Sequence, residues 1–258
     1  MMERDPERRA PARMMKNYRV LSFSDPEALA AAAAQRWLKE VQAANRAGQP
    51  YCTALSGGRI AKTLFISIVQ QAKTGTVLLE NVHFFWADER CLPPDDSESN
   101  FKLANDFLLA PLNIAANRIH RIRGEAPQNA AVQAAGRDLR QIAGSSGNLP
   151  SLDLIFLGMG EDGHVASLFP NAVPEILAVE EPFVGVKTAP KPPPNRISLS
   201  YAAIAAAKQV WVLVSSAGKE EALKQSLKPD GHTPLARVLR SRSRTTIFSD
   251  INFSPFFT

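Results

Sequence analysis

His164 lies in the run Gly158-Met159-Gly160-Glu161-Asp162-Gly163-His164-Val165-Ala166-Ser167-Leu168-Phe169-Pro170, directly after the apolar stretch Leu152-Asp153-Leu154-Ile155-Phe156-Leu157. Histidine is the side chain suited to taking up and returning a proton near neutral pH, and a carboxylate beside it orients the ring. Asp162, two residues earlier, is placed for that role, and the glycines let backbone approach a ligand closely. Three further groups carry charge or backbone amides. Ser56-Gly57-Gly58 joins a short apolar strand to a helical pattern, where backbone N–H groups and the helix N-terminus hold an anion, most readily phosphate. The same triplet also suits a tight turn with no ligand. It is neither G-x-x-x-x-G-K-[ST] nor G-x-G-x-x-G, which counts against nucleoside triphosphates and dinucleotides. Asp88-Glu89-Arg90 follows another apolar run and reads either as a solvated surface loop or as part of a site, in which Arg90 binds phosphate through two parallel hydrogen bonds. Lys219, after Ser216-Ala217-Gly218, is a phosphate contact or a solvated helix lysine, and Arg196 lies within reach of the same rim.

The remaining reactive residues fit chemistry less well. Cys52 and Cys91 form no C-x-x-C pair, and with no paired histidine ligands they predict free thiols and no zinc site. Cys91 has no histidine at a spacing that makes a nucleophilic pair. His83 within a strand and His120 between arginines read as structural, and His232 as exposed in a turn.

These residues need a frame to converge. The patterns predict strands at Tyr18–Phe23, Tyr51–Leu55, Asn81–Ala87, Leu152–Leu157, Phe183–Val186, Arg196–Leu199 and Gln209–Val214. Helices are predicted over 28–47, after Gly58 (Ile60, Leu64, Phe65 and Ile68 at helical spacing), from Ser99-Asn100 to Leu109, over 127–143 and from Ser216 onward. Pro93-Pro94-Asp95-Asp96-Ser97 and Ala189-Pro190-Lys191-Pro192-Pro193-Pro194-Asn195 are loops. Strands alternating with helices predict an α/β fold with a mainly parallel sheet flanked by helices. If its strands are neighbours, the loops at 56–58, 88–99, 158–164 and 216–219 all open on one rim, where such folds bind ligands.

With 258 residues and 45% hydrophobic content the chain predicts a single domain over residues 18–258, preceded by a disordered extension over 1–17. That extension reads as a bland tail or as a basic arm for an acidic partner, and Met14-Met15 offers an alternative start. The net charge is +5. Residues 1–19 carry six basic against three acidic side chains, so the rest of the chain is near +2 and argues for no nucleic-acid partner. No apolar run approaches the ~18 residues of a membrane-spanning helix, and no secretory signal is evident. A soluble, cytoplasmic protein is expected.

Taken together, Ser56-Gly57-Gly58, Asp88-Glu89-Arg90 with Pro93 and Ser99-Asn100, the 158–170 run, Arg196-Ile197-Ser198-Leu199-Ser200 and Gly218-Lys219 resemble, in order and spacing, the 6-phosphogluconolactonase family. The resemblance spans about residues 18–250. It implies a modified Rossmann-like fold shared with glucosamine-6-phosphate deaminases, and hydrolysis of 6-phospho-D-glucono-1,5-lactone to 6-phosphogluconate in the oxidative pentose phosphate pathway. It also implies no metal or organic cofactor, a small sugar-phosphate lactone as the only ligand, and a monomer or homodimer. On this resemblance His164 is the general base toward water and then the acid toward the ring oxygen. Phosphate falls to Ser56, Gly57, Gly58, Arg90 and Lys219, with Arg196, Asp162 and Asp88 beside them. One departure is Arg59-Ile60-Ala61, where the family has Ser or Thr and then Pro. Arg59 either supplies an extra cation to the phosphate or points to solvent.

Two other readings share the fold. A glucosamine-6-phosphate deaminase or isomerase has an acidic residue five positions after the histidine, where this chain has Phe169, although Asp88 matches that group's proton-transfer aspartate. A sugar-phosphate sensor of a transcription regulator carries an added DNA-binding module, for which the residues before the first strand are too few, and it leaves His164 without a role.

Overall fold

The computed structural model describes residues 17–251. The predicted extension over 1–17 therefore lies outside the described residues except for Asn17. Asp25 accepts a hydrogen bond from the Ala28 amide at 2.7 Å and Pro26 occupies the first turn, so α1 (Pro26–Arg46) begins just after β1 (Tyr18–Ser22). Then come β2 (Tyr51–Leu55), α2 (Arg59–Gly75), β3 (Val82–Trp86), β4 (Asp88–Arg90), α3 (Asn100–Ala104), which runs on as a π-helical turn over Asn105–Leu109, and α4 (Gln128–Ile142). The second half holds β5 (Gly144–Ser146), β6 (Leu149–Ser151), β7 (Leu154–Gly158), α5 (Pro174–Leu177), β8 (Phe183–Val186), β9 (Arg196–Leu199), α6 (Tyr201–Ala206), β10 (Gln209–Val214), α7 (Glu220–Leu227), α8 (Pro234–Arg240) and β11 (Thr245–Ser249).

Six strands form one parallel sheet in the order β1-β11-β10-β7-β2-β3. Its inner strands are buried on both faces, which is why they read as continuous apolar runs without alternation. Helix α1 presents Leu29, Ala30, Ala33, Ala34, Trp37, Leu38 and Val41 inward. Trp37 meets Phe84 of β3 and Phe156 of β7 at ring separations of 6.2 and 6.1 Å, and Phe156 meets Trp211 of β10 edge-on at 5.6 Å. An aromatic seam thus crosses the sheet under one helix.

The expected α/β architecture is present, with one correction. Asp88-Glu89-Arg90 is not a surface loop: it is β4, and it pairs antiparallel with β9, which pairs with β8 in a second, three-stranded sheet. The apolar runs at 183–186 and 196–199 therefore lie outside the parallel sheet. Strand β11, helices α6 and α8, and the β5–β6 hairpin were not anticipated.

Along the free edge of β3 the backbone of 119–120 completes the pairing, with the His120 amide donating to the Phe84 carbonyl at 2.8 Å. Arg118 donates to His83 Nε2 at 2.5 Å, so that nitrogen is an acceptor and the His83 proton sits on Nδ1, facing His120 Nε2 at 2.9 Å. The Phe85 ring lies over His120 at 4.6 Å. Burial first, then the Arg118 charge and His120, push His83 down to about 4. His120 is lowered too, chiefly by burial, with Asp138 acting against it. The unfolded chain binds protons at these imidazoles from about pH 6.5 downward while the folded chain does not, so stability is lost as pH falls from there through about 4. Melting temperature should drop by a few degrees across that window, and His83→Gln should flatten the slope. An unchanged slope in thermal melts would remove His83 from this role.

Candidate functional site

The site is built where β2 and β7 part. These two strands pair through only Thr53↔Leu154 and Ala54↔Ile155, whereas β2 pairs with β3 at five positions through Leu55↔Trp86. Beyond Ala54 the ladder opens, and the Ser56 hydroxyl, donating to the Phe156 carbonyl at 2.8 Å, spans the gap. This is also where strand order reverses, β3 lying to one side of β2 and β7, β10 and β11 to the other. A cleft of about 170 Å³ occupies the opening.

Ser56, Gly57, Gly58, Arg59, Asp88, Arg90, His164, Arg196 and Lys219 all line it, so the loops after β2, β3, β7 and β10 do converge. Asp162 stands behind His164. Its Oδ1 accepts from His164 Nδ1 at 2.5 Å and from the His164 amide at 3.1 Å. Burial alone raises the Asp162 carboxyl, but the His164 charge and hydrogen bonds outweigh it and hold Asp162 below the usual carboxylate range. An ionised carboxylate only accepts, so Asp162 fixes a proton on His164 Nδ1; in the neutral imidazole the nitrogen without a proton is then Nε2, which points away from Asp162. Backbone makes room for this: a Cβ on Gly160 would lie 2.1 Å from the imidazole Nδ1 and Cε1.

Anion-binding capacity lies on the neighbouring loop. Helix α2 begins after Gly58, at φ 95°, and no side chain caps its first turn, so its leading amides are free for a ligand. Arg59 and Lys219 lie close enough to repel. Burial and then the Arg59 charge lower the Lys219 ammonium from its ordinary value, against Glu161 and Asp250. An anion there relieves both cations. Arg90 bonds the carbonyl of Glu98 and meets its carboxylate at 3.4 Å, while its buried Nε has no partner among the described residues. Arg196 donates to the carbonyls of Pro193 (3.0 Å), Lys191 (2.9 Å) and Pro192 (3.2 Å), and so holds the proline-rich loop.

The model of the glucosamine-6-phosphate isomerases/6-phosphogluconolactonase family matches residues 24–248. The chain belongs to this family. It is 36% identical over 206 residues, 78% of this chain and 82% of the relative, to the 6-phosphogluconolactonase of Mycobacterium tuberculosis. To that of Streptomyces coelicolor it is 33% identical over 229 residues, 86% of this chain and 87% of the relative. Among solved structures, the 6-phosphogluconolactonase of Trypanosoma brucei superposes with a TM-score of 0.79 at 25% identity, covering 90% of this chain and 95% of that one.

Within this family member the acidic residues divide the labour in ways their sequence positions did not disclose. Asp88 is buried, its Oδ2 accepting from Ser167 Oγ at 2.6 Å and its carbonyl from Asn100 Nδ2 at 2.9 Å, which ties β4 to the His164 loop. The sequence places Asn100 at a helix start and within the family motif, without naming this partner. Asn100 also packs against Gly57, where a Cβ would lie 1.9 Å from its Oδ1. Glu89 points the other way, accepting from the amides of Asn100 (2.8 Å), Phe101 (2.7 Å) and Arg90 (2.7 Å) and from Ser99 Oγ (3.0 Å). Burial raises its carboxyl, and those amides act against the rise. The Ser99-Asn100 cap signal was legible; the buried carboxylate beneath it was not, because it arrives from a different strand.

Glu89→Gln turns a donor toward amides that need an acceptor, at a cost of about 2 kcal/mol. Melting temperature should fall by about 4–8 °C for a chain of this size, and a fall of less than about 1 °C would show that those amides find other partners.

Proposed function

We propose that this chain hydrolyses 6-phospho-D-glucono-1,5-lactone to 6-phosphogluconate, the lactonase step of the oxidative pentose phosphate pathway. The carrying observation is one cleft with two unlike ends: an Asp162–His164 pair with a free imidazole nitrogen, and the uncapped start of α2 beside Arg59 and Lys219. The family and its lactonase relatives support the same reading.

In this reading the phosphate sits on the amides of Gly57, Gly58 and Arg59, with Arg59, Lys219 and the unpartnered Nε side of Arg90 around it. Binding energy from that remote group holds the lactone carbonyl beside His164. His164 Nε2 takes a proton from water as the water oxygen attacks the carbonyl carbon. The tetrahedral adduct then collapses, the bond from that carbon to the ring oxygen breaks, and the proton on Nε2 passes to the departing oxygen. The immediate product is a hydroxy acid; the second proton of the water remains on its carboxyl group and is released to solvent to leave the carboxylate, while the imidazole returns to its starting state. Asp162 keeps the ring in the required tautomer and stabilises the transient imidazolium. A lactone is an activated ester, so one base and good positioning suffice. Phe169 provides no acid beside the histidine, which separates this site from ring-opening isomerase chemistry. The protein acts as a soluble, cytoplasmic monomer or homodimer in this proposal, and among the described residues no helix is long and apolar enough to cross a membrane.

Freshly generated lactone phosphate, followed above its spontaneous hydrolysis, tests the proposal. His164→Ala should lower kcat by about 10²–10⁴-fold with KM little changed. Equal rates for variant and wild type would remove His164 as the base, and ammonia release from glucosamine 6-phosphate would replace the lactonase by a deaminase. Arg90→Ala removes hydrogen bonds to a charged group, about 1.5–3 kcal/mol, so KM should rise roughly 10–100-fold for the phosphorylated lactone. For unphosphorylated glucono-1,5-lactone it should barely move. Equal effects on both substrates would take Arg90 out of the phosphate site.

A further inference from the structure

Phe169 does more than occupy a position that lacks an acid. It is 6% exposed and belongs to a small apolar cluster with Val186 and Ala189, separate from the main core and backed by Ile176. That cluster joins two segments distant in sequence, the His164 loop and the stretch from the end of β8 into the proline-rich loop. The chain reaches it by a sharp reversal in which the Leu168 amide donates to the Val165 carbonyl at 3.0 Å and Ala166 takes a left-handed backbone, φ 49°. A non-glycine residue in that region costs of order 1 kcal/mol or more and persists only where surrounding contacts hold it. What the reversal achieves is contact: the Phe169 ring lies 4.7 Å from the His164 ring at 41°. On the same phenyl ring sits the Arg196 guanidinium, 5.5 Å from the centroid.

We infer that Phe169 is a positioning residue for the reaction, its ring being the wall that, together with the Asp162 hydrogen bond, fixes the His164 imidazole. The inference rests on His164 being the base. A hydrogen bond at Nδ1 fixes one direction of the imidazole but leaves the ring free to tip about the Nδ1···Oδ1 axis, which swings Nε2 out of line with a bound carbonyl. A phenyl ring in tilted contact with the imidazole, 4.7 Å away at 41°, blocks that motion. Because Arg196 holds the carbonyls of Lys191, Pro192 and Pro193 while resting on the same phenyl group, the wall is itself braced by the proline-rich loop. Misplacement of a catalytic group by about 1 Å costs up to ~10²-fold in rate, so such a wall acts on kcat.

Phe169→Leu keeps an apolar side chain in the cluster and removes the flat face, whereas Phe169→Tyr keeps the face. The Leu variant should lose about 10–100-fold in kcat with KM within about twofold, because the phosphate contacts are untouched. The Tyr variant should recover most of that loss. Combined with Asp162→Asn, Phe169→Leu should cost less than the product of the two single effects, since both act through one imidazole orientation. Independently of turnover, the carbon-bound imidazole protons of His164, assigned by their absence from His164→Ala, should show a ring-current shift in wild type and Phe169→Tyr that disappears in Phe169→Leu. The inference is overturned if no such shift exists, if Phe169→Leu acts on KM rather than kcat, if Phe169→Tyr loses as much as Phe169→Leu, or if the double variant is strictly multiplicative. A wild-type protein that hydrolyses no lactone phosphate, with the ring-current shift intact, would instead overturn the role of His164 as base and with it the catalytic meaning of the wall.

Discussion

Two strands that pair for two residues and then separate set everything else in this molecule. Because β2 and β7 share only the Thr53↔Leu154 and Ala54↔Ile155 register, the chain leaves both at adjacent points of the same sheet end, and the Ser56 loop and the Gly158–His164 loop face each other across the gap. Had the ladder continued, the cleft would be filled with backbone hydrogen bonds. The Ser56 hydroxyl bond to the Phe156 carbonyl stops the gap from widening without closing it. Burial of the inner strands on both faces makes this opening rigid, since neither strand can shift register without exposing apolar side chains.

The charge of the cleft follows from where its carboxylates are spent. Glu89 is consumed by the amides at the start of α3, Asp88 by Ser167 and Asn100, and Asp162 by His164. None of the three is left to pair with Arg59 or Lys219. Glu161 and Asp250 offset part of the Lys219 charge, but burial and Arg59 still lower its pKa, so this end of the cleft is electropositive and suited to an anion. Arg196 and Arg90 stand opposite each other in the β4–β9 register, like charges at one level of the sheet. Burial and the Arg90 charge lower the Arg196 guanidinium accordingly, with Asp88 and Glu98 offsetting part of the effect. Backbone carbonyls take up Arg196, and Glu98 takes up Arg90, so the second sheet accommodates a pair that would otherwise be destabilising.

What could be read without coordinates was whatever is encoded locally. The strand ends before Ser56, Gly158 and Ser216, the helix start at Ser99-Asn100, and the two-residue spacing of Asp162 and His164 are all short-range, and the structure places the loops on one rim as their strand positions required. Charge misled in one place. Of the two readings of Asp88-Glu89-Arg90, the solvated loop rested on three charged residues in a row being rarely buried, yet Asp88 and Glu89 are 5% and 2% exposed. Their partners, Ser167 and the α3 amides, lie 79 and 11–12 residues away in sequence, and no pattern within the triplet points to them. Phe169 was noticed for what it is not, and its contact with His164 depends on the left-handed turn at Ala166, a conformation alanine gives no sign of adopting. Strand β11 was missed because its polar start, Thr245-Thr246, hides two faces that are nonetheless buried.

The glycines around His164 then acquire a specific meaning. Gly160 is required because the imidazole lies where its Cβ would be, and Gly163 because its φ of 77° turns the chain beneath Thr233. Together they let Asp162 and His164, two residues apart, turn back on one another so that one carboxylate oxygen meets both the His164 amide and its Nδ1. The same compression leaves the imidazole with one hydrogen bond and one open face, and the loop closes that face with its own Phe169 within six residues. In the proposed reaction the energy that selects the substrate is drawn from the other end of the cleft, where α2 begins uncapped, so affinity and proton transfer fall to different loops and can change independently.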